Sequence, residues 1–129
     1  MRLGDLEKAV LQYFWGNDAA DVKQVHGDID PTGQRSMNTV QSAMDRLFKK
    51  GLLKREKIGH AFVYRSAQSR DAFVAKLMRA VASDFISSEQ DYLAAFSSLT
   101  DELDNAQLDE LEQLIERRRT ENETGGEAC

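Results

Sequence analysis

Between Arg35 and Tyr64 the chain carries, in order, a capped amphipathic helix, a glycine stop and a basic two-strand ribbon, and few folds accommodate such a run. Ser36 stands where a helix N-cap is needed, able to accept from the Thr39 amide and so satisfy one unpaired donor of the first turn. Val40, Ala43, Met44 and Leu47 then recur at three- and four-residue spacing and predict one apolar stripe along a helix of roughly 14 residues and about 21 Å. Lys49 and Lys50 suit the negative end of the helix dipole, and Gly51 ends the helix because only a residue without Cβ takes the left-handed cap cheaply. Two β-prone runs follow, Leu52 to Ile58 and Ala61 to Arg65, joined at Gly59-His60, where the glycine supplies a positive φ for a tight hairpin.

The side of the helix away from the stripe holds Asn38, Gln41, Ser42, Asp45, Arg46 and Lys49, with Asn38, Ser42 and Arg46 in one i, i+4, i+8 row. Asn and Gln can pair bidentately with adenine, Arg with guanine, and Ser or Thr with a base edge or a phosphate, so this face suits a helix laid in a major groove. Plain solvation explains a polar face equally well, since polar outer faces are the rule for globular helices. The ribbon favours the first reading: Lys54, Arg55, Lys57 and Arg65 stand against one acid, Glu56, and helix, glycine, basic hairpin is the order of a winged helix whose ribbon lies beside a duplex. On that reading Asn38, Ser42 and Arg46 are the candidates for base edges, and Thr39, Lys49, Lys54, Lys57 and Arg65 for phosphates. Arg35 and Ser36 at the helix start and His60 at the ribbon turn complete the set.

Charge is distributed unevenly. The chain of 129 residues carries a net −5, yet residues 1–70 hold 12 Lys/Arg against 8 Asp/Glu, net +4, while residues 71–129 hold 5 against 14, net −9. Such asymmetry suggests a polyanion-binding half joined to a half with another task. The single cysteine, Cys129, excludes an internal disulfide and a thiol metal cluster, and reads as an inert tail residue open to an intermolecular disulfide in air. No metal or cofactor is expected. There is no apolar run of membrane-spanning length and no secretory h-region at MRLGDLEKAV, so a cytoplasmic protein without membrane insertion is expected.

Upstream, Gly4 to Trp15 reads as a first helix with Leu3, Leu6, Val10, Tyr13 and Phe14 on its apolar side and Trp15 as a core anchor. Asp21 caps a second helix with Gln24 at N3, and Val22, Val25 and Ile29 form its buried stripe. His26 has no ligand-spaced neighbours and is expected at the surface, and Pro31-Thr32-Gly33 is a turn. Helix, helix, turn, polar-faced helix is the helix-turn-helix order. Downstream, Asp71 to Ile86, Ser88 to Ser97 and a helix opened by the Asp104/Gln107 capping box carry strong apolar sides, and from Thr120 disorder is expected. Three such helices in about 60 residues bury little by themselves, so Phe73, Leu77, Val81, Phe85, Tyr92, Phe96, Leu108, Leu111, Leu114 and Ile115 are expected in a dimer interface. Folding back on the N-terminal half is the alternative. The expected organisation is a mainly α chain with a small β-hairpin wing: winged helix-turn-helix over 1–66, helical dimerisation region over 67–119 and disordered tail over 120–129.

Asn38-Thr39-Val40, Arg46-Leu47, Lys49-Lys50-Gly51-Leu52, Lys57-Ile58-Gly59-His60 and Phe62-Val63-Tyr64, with Leu3, Glu7, Val10 and Trp15 upstream, resemble the penicillinase-repressor family of the BlaI, MecI and CopY type. The resemblance runs over roughly residues 3 to 118. It implies a winged-helix repressor that dimerises through C-terminal helices and binds an inverted-repeat operator, with Asn38, Thr39, Ser42 and Arg46 at the family's recognition-helix contacts. Gly59-His60 stands where the family commonly has Gly-Arg, which lowers the charge of the wing at neutral pH. Copper-responsive members carry a cysteine cluster that Cys129 alone does not form. In β-lactam-responsive members a membrane-bound sensor protease leads to cleavage of an Asn-Phe bond, whose nearest counterpart here is Ala95-Phe96.

The sequence thus points to a homodimeric repressor on double-stranded DNA, with a sensor or protease as a further partner. A winged-helix module binding an acidic protein is the competing reading. An enzyme is disfavoured, because no phosphate loop, paired-His motif or nucleophile and base pattern is present. Nothing in the residue pattern marks a ligand pocket.

Overall fold

A computed structural model describes residues 2–127. The chain divides into two compact units, one ending at Ala82 and the other beginning at Ser83. The N-terminal unit runs α1 (Asp5–Gly16), α2 (Val22–Ile29), α3 (Met37–Lys49), β1 (Leu53–Ile58), β2 (Ala61–Ser66) and α4 (Arg70–Ala82). The C-terminal unit holds α5 (Glu89–Leu99), a 3-10 turn (Thr100–Glu102) and α6 (Asn105–Glu127). Mainly helical, with one antiparallel hairpin following a helix-turn-helix, the chain has the winged-helix architecture.

Local chemistry sets the boundaries. Ser36 Oγ accepts from the Thr39 amide at 3.2 Å, and Asp21 Oδ1 accepts from the Gln24 amide at 2.8 Å. Gly51 at φ 80° lets its amide reach the Phe48 carbonyl at 3.0 Å, closing α3. Gly59 at φ 65° turns the hairpin, and the absence of positive φ at His60 gives the pattern of a type II′ turn. At the start of α6 the capping box is reciprocal: the Asp104 amide donates to Gln107 Oε1 at 3.0 Å, and the Gln107 amide to Asp104 Oδ1 at 2.9 Å.

The N-terminal core is built on α3, whose Val40, Ala43, Met44 and Leu47 are all 0% exposed. Val10, Leu11 and Phe14 of α1, Val25 of α2, and Leu52, Leu53 and Tyr64 around the hairpin close over this stripe. Each large apolar side chain so buried contributes about 1.5–3 kcal/mol. Ala20, between α1 and α2, exchanges two backbone hydrogen bonds of 2.9 Å with Tyr64 and adds a one-residue third strand to the hairpin. The Tyr13 hydroxyl donates to Asp28 at 2.8 Å, and burial, then that carboxylate, pushes its pKa up to about 12.

Glu7 is the buried charge of this unit. Its carboxylate meets Lys50 Nζ at 2.7 Å and Arg46 Nε at 3.5 Å, joining the start of α1 to the end of α3. The Lys50 hydrogen bond holds the Glu7 pKa below the usual carboxylate range, against the opposing effect of burial.

Four expectations differ from the structure. Phe73, expected at a dimer face, is buried in this unit's own core, its ring 5.4 Å from Trp15, and Leu77 packs partly buried against the same cluster. α4 therefore belongs with the winged helix, and the division falls after Ala82 rather than at 66. α4 also stops there instead of running to Ile86. Finally, α6 continues to Glu127 where disorder was expected from Thr120. Arg118 pairs with Glu121 at 3.2 Å across one turn, which favours the extension, and the Thr120 and Thr124 hydroxyls are satisfied within the helix by carbonyls one turn earlier. The expectations for Ala128 and Cys129 lie outside the described residues.

Two outcomes test this packing. Phe73→Ala should lower the unfolding free energy in urea by about 3 kcal/mol, as for other buried aromatics; a loss below about 1 kcal/mol would return Phe73 to the surface. Because Glu7 is more acidic folded than unfolded, its contribution is complete above the unfolded carboxylate pKa and is lost as pH falls through the folded value. Glu7→Gln should thus cost about 1–2 kcal/mol near pH 7, the gap to wild type narrowing below about pH 4. A gap that is constant with pH contradicts the assignment.

Candidate nucleic-acid interface

Fixing the buried stripe of α3 fixes what the helix presents. Asn38, Ser42 and Lys49 lie on the ridge opposite the core, all exposed. Eight residues overshoot two helical turns by about 80°, so the row from Asn38 through Ser42 to Arg46 drifts toward α1. Arg46 accordingly rests against Glu7 through Nε, with half its side chain exposed. The other flank faces the wing, where Asp45 and Phe48 meet Arg55.

The start of α3 is held from the turn before it. Asp30 Oδ1 accepts from the Gln34 amide at 3.1 Å and Oδ2 from the Arg35 amide at 2.7 Å, which lowers the Asp30 pKa, the Arg35 bond most of all. His26 Nε2 lies 2.7 Å from the Arg35 carbonyl and 3.5 Å from Asp30. His26, expected at the surface, is half-buried there and ties α2 to the approach of α3. Ser36 and Thr39 share a 2.9 Å hydroxyl hydrogen bond at the cap, so these two expected site residues are also structural. Met37, 43% exposed beside Asn38, is an apolar group on this first turn that the sequence reading passed over.

The register of the hairpin sorts the wing cations. Lys54 pairs with Arg65, Arg55 with Tyr64 and Lys57 with Phe62. Alternation puts Arg55, Lys57, Phe62 and Tyr64 on one face, and Lys54 and Arg65 on the other. The first is the face toward α3, since Arg55 reaches Asp45 at 3.0 Å. Lys57, exposed near the turn with His60, is the cation on that face nearest the tip. Lys54 opposite Arg65 is a like-charge cross-strand pair, with the acid Glu56 two residues along on the same face. The ribbon is therefore basic on both faces.

Arg55 has a different role from its neighbours. Its guanidinium sits 3.9 Å from the Phe48 ring centroid and 4.3 Å from that of Phe62, while Nη1 donates to Asp45 at 3.0 Å and to the Tyr64 hydroxyl at 3.3 Å. The Tyr64 bond first, then Asp45, raises the Arg55 pKa; Lys49 first, then Arg55, lowers that of Asp45. This clamp holds the wing to α3 and, together with Lys49 at 3.2 Å, balances the Asp45 carboxylate. Its position two residues after buried Leu53 on the same strand face was the available signal.

Among the described residues no cluster of His, Cys, Asp or Glu has metal-holding geometry, and no helix is long and apolar enough to cross a membrane. In the C-terminal unit, by contrast, no described side chain is buried, and Phe85, Leu93, Phe96, Leu99, Leu114 and Ile115 are exposed at 43–86%. Leu108, Leu111 and Tyr92 are half-covered, and Val81 of α4 is 61% exposed.

Known proteins bear on this arrangement. Transcriptional regulator BlaI of Mycobacterium tuberculosis is 36% identical over 78 residues, 60% of this chain and 56% of its own length, so the match spans little more than half of that relative. The penicillinase repressor of Bacillus licheniformis is 23% identical over 118 residues, covering 92% of each chain. The solved DNA-binding domain of the repressor BlaI covers 68% of this chain and 93% of its own at 26% identity, with a TM-score of 0.49. The family described as penicillinase repressor matches residues 3–117, nearly the whole chain, and the chain belongs to that family.

Proposed function

We propose that the chain is a DNA-binding transcriptional repressor, acting in the cytoplasm as a homodimer on an inverted-repeat operator, with α3 in the major groove and the wing along the backbone. The observation that carries this reading is the pairing of an outward polar ridge on a rigidly phased α3 with a basic hairpin clamped beside it by Arg55. Family membership and the names of the relatives support it.

The contacts divide by chemistry. Asn38, Ser42 and Arg46 read base edges, Arg46 leaving Glu7 to pair with guanine, and Met37 meets a thymine methyl. Arg35, Ser36 and Thr39 at the helix start, Lys49 on the ridge, and Lys57 and His60 at the wing hold phosphates. Lys54 and Arg65, on the reverse face of the ribbon, add sequence-independent attraction.

The dimer rests on the apolar surface that the C-terminal unit leaves uncovered, with Phe85, Tyr92, Phe96, Leu108, Leu111, Leu114 and Ile115 as its centre. Val81, on α4 of the N-terminal unit, is also exposed, whereas Phe73 and Leu77 serve that unit's core. A sensor or protease partner acting at Ala95-Phe96 must first open α5, because that bond lies inside the helix.

Arg46→Ala should cost about 1–3 kcal/mol on the operator and relax choice at one base pair, with little loss on random duplex. Lys57→Ala should weaken both duplexes and lower the salt slope by about one. Fluorescence anisotropy against the two duplexes across a salt series reads both; equal losses for Arg46→Ala on operator and random DNA remove it from base reading.

A further inference from the structure

Between α1 and α4 the N-terminal unit contains an open cavity of about 560 Å³. This volume falls in the range that small-molecule sites occupy. Leu11 and Trp15 of α1 and Phe73 and Leu77 of α4 supply its apolar wall. Three cations, Arg2, Lys8 and Arg70, also line it, and no carboxylate does. Of the nearby acids, Glu7 is held by Lys50 and Arg46, Asp5 stands exposed one turn before Lys8, and Asp71 lines an adjoining shallow cleft that shares Trp15 and Arg70 with the cavity.

Arg2, Lys8 and Arg70 are all exposed, so water and salt screen their charges from one another, but an anion seated on the apolar wall would meet a positive rim with no carboxylate in the lining. We propose that this cavity binds a small amphipathic carboxylate, its aryl or medium-chain alkyl body against Trp15 and Phe73 and its carboxylate among Arg70, Lys8 and Arg2. The apolar body gains from leaving water, and guanidinium groups match a carboxylate through paired hydrogen bonds. A bare inorganic anion would leave the wall uncovered, and an uncharged apolar molecule would leave the cations unmatched. The site is distinct from the face of α3 proposed for DNA, and its occupancy is measurable without DNA.

Trp15, the sole tryptophan, lines the cavity and reports on it. The test titrates the full chain with 4-phenylbutyrate, following Trp15 emission at constant ionic strength, beside the uncharged counterpart 4-phenylbutan-1-ol. The carboxylate should give a saturable change with half-saturation on the order of 1 mM or tighter, and the alcohol should bind at least about tenfold more weakly. Lys8→Gln, a substitution at an exposed position, and Arg70→Gln should each weaken the carboxylate by about tenfold and leave the alcohol unchanged. Val74→Phe, which fills the mouth without changing charge, should weaken both ligands. The proposal is overturned by an absence of saturation, by equal binding of acid and alcohol, or by charge variants that bind as wild type does. Emission that shifts with protein concentration but ignores the added acid also overturns it, since a second copy then covers the hollow.

Discussion

The rotational phase of α3 governs the N-terminal unit. Four side chains on one stripe, all without exposure, leave the helix no freedom to turn about its axis, because a rotation by one residue would bring a polar group into the core. Once that phase is fixed, Asn38, Ser42 and Lys49 face outward as a consequence, and no separate device is needed to aim them. The core and the candidate site are two sides of one periodicity.

Charge then holds the neighbours of α3 in place on either flank. Glu7 grips Lys50 and Arg46 on the α1 side, while Asp45 and two aromatic rings grip Arg55 on the wing side. These clamps differ in kind. Glu7 is sunk in the core and is strongly constrained, whereas Asp45 is more exposed and more strongly screened by water and salt. On the wing side the Arg55 stack adds to the buried Leu53 and Tyr64, which seat the base of the hairpin in the core.

Whatever depends on near neighbours was legible in the sequence. Ser36 with Thr39, Asp21 with Gln24 and Asp104 with Gln107 act over three residues, and Gly51 and Gly59 act through their own backbone. The wing followed from the same signals. Long-range partners were not legible: Glu7 meets Lys50 from 43 residues away, and periodicity in α4 reveals an apolar side without saying that Trp15 covers Phe73. For the same reason the row of Asn38, Ser42 and Arg46 looked straight on paper, although Arg46 bends toward an acid on another helix. Composition from Thr120 onward suggested disorder because it counts polar residues and ignores pairs at helical spacing such as Arg118 with Glu121.

The C-terminal unit completes the account by what it leaves uncovered: large apolar side chains on α5 and α6, with no described residue of its own to bury them. In the dimer proposed above, a two-fold partner would supply the cover and duplicate α3 for a second half-site. The most direct measurement is a gel shift of the full chain on DNA from upstream of its own gene, with excess random duplex and varied salt. The account predicts a dimer-sized complex that survives the competitor and footprints to an inverted repeat. A complex no stronger than that on random duplex, at every salt concentration and with every upstream fragment, contradicts it and leaves the basic face to an acidic protein.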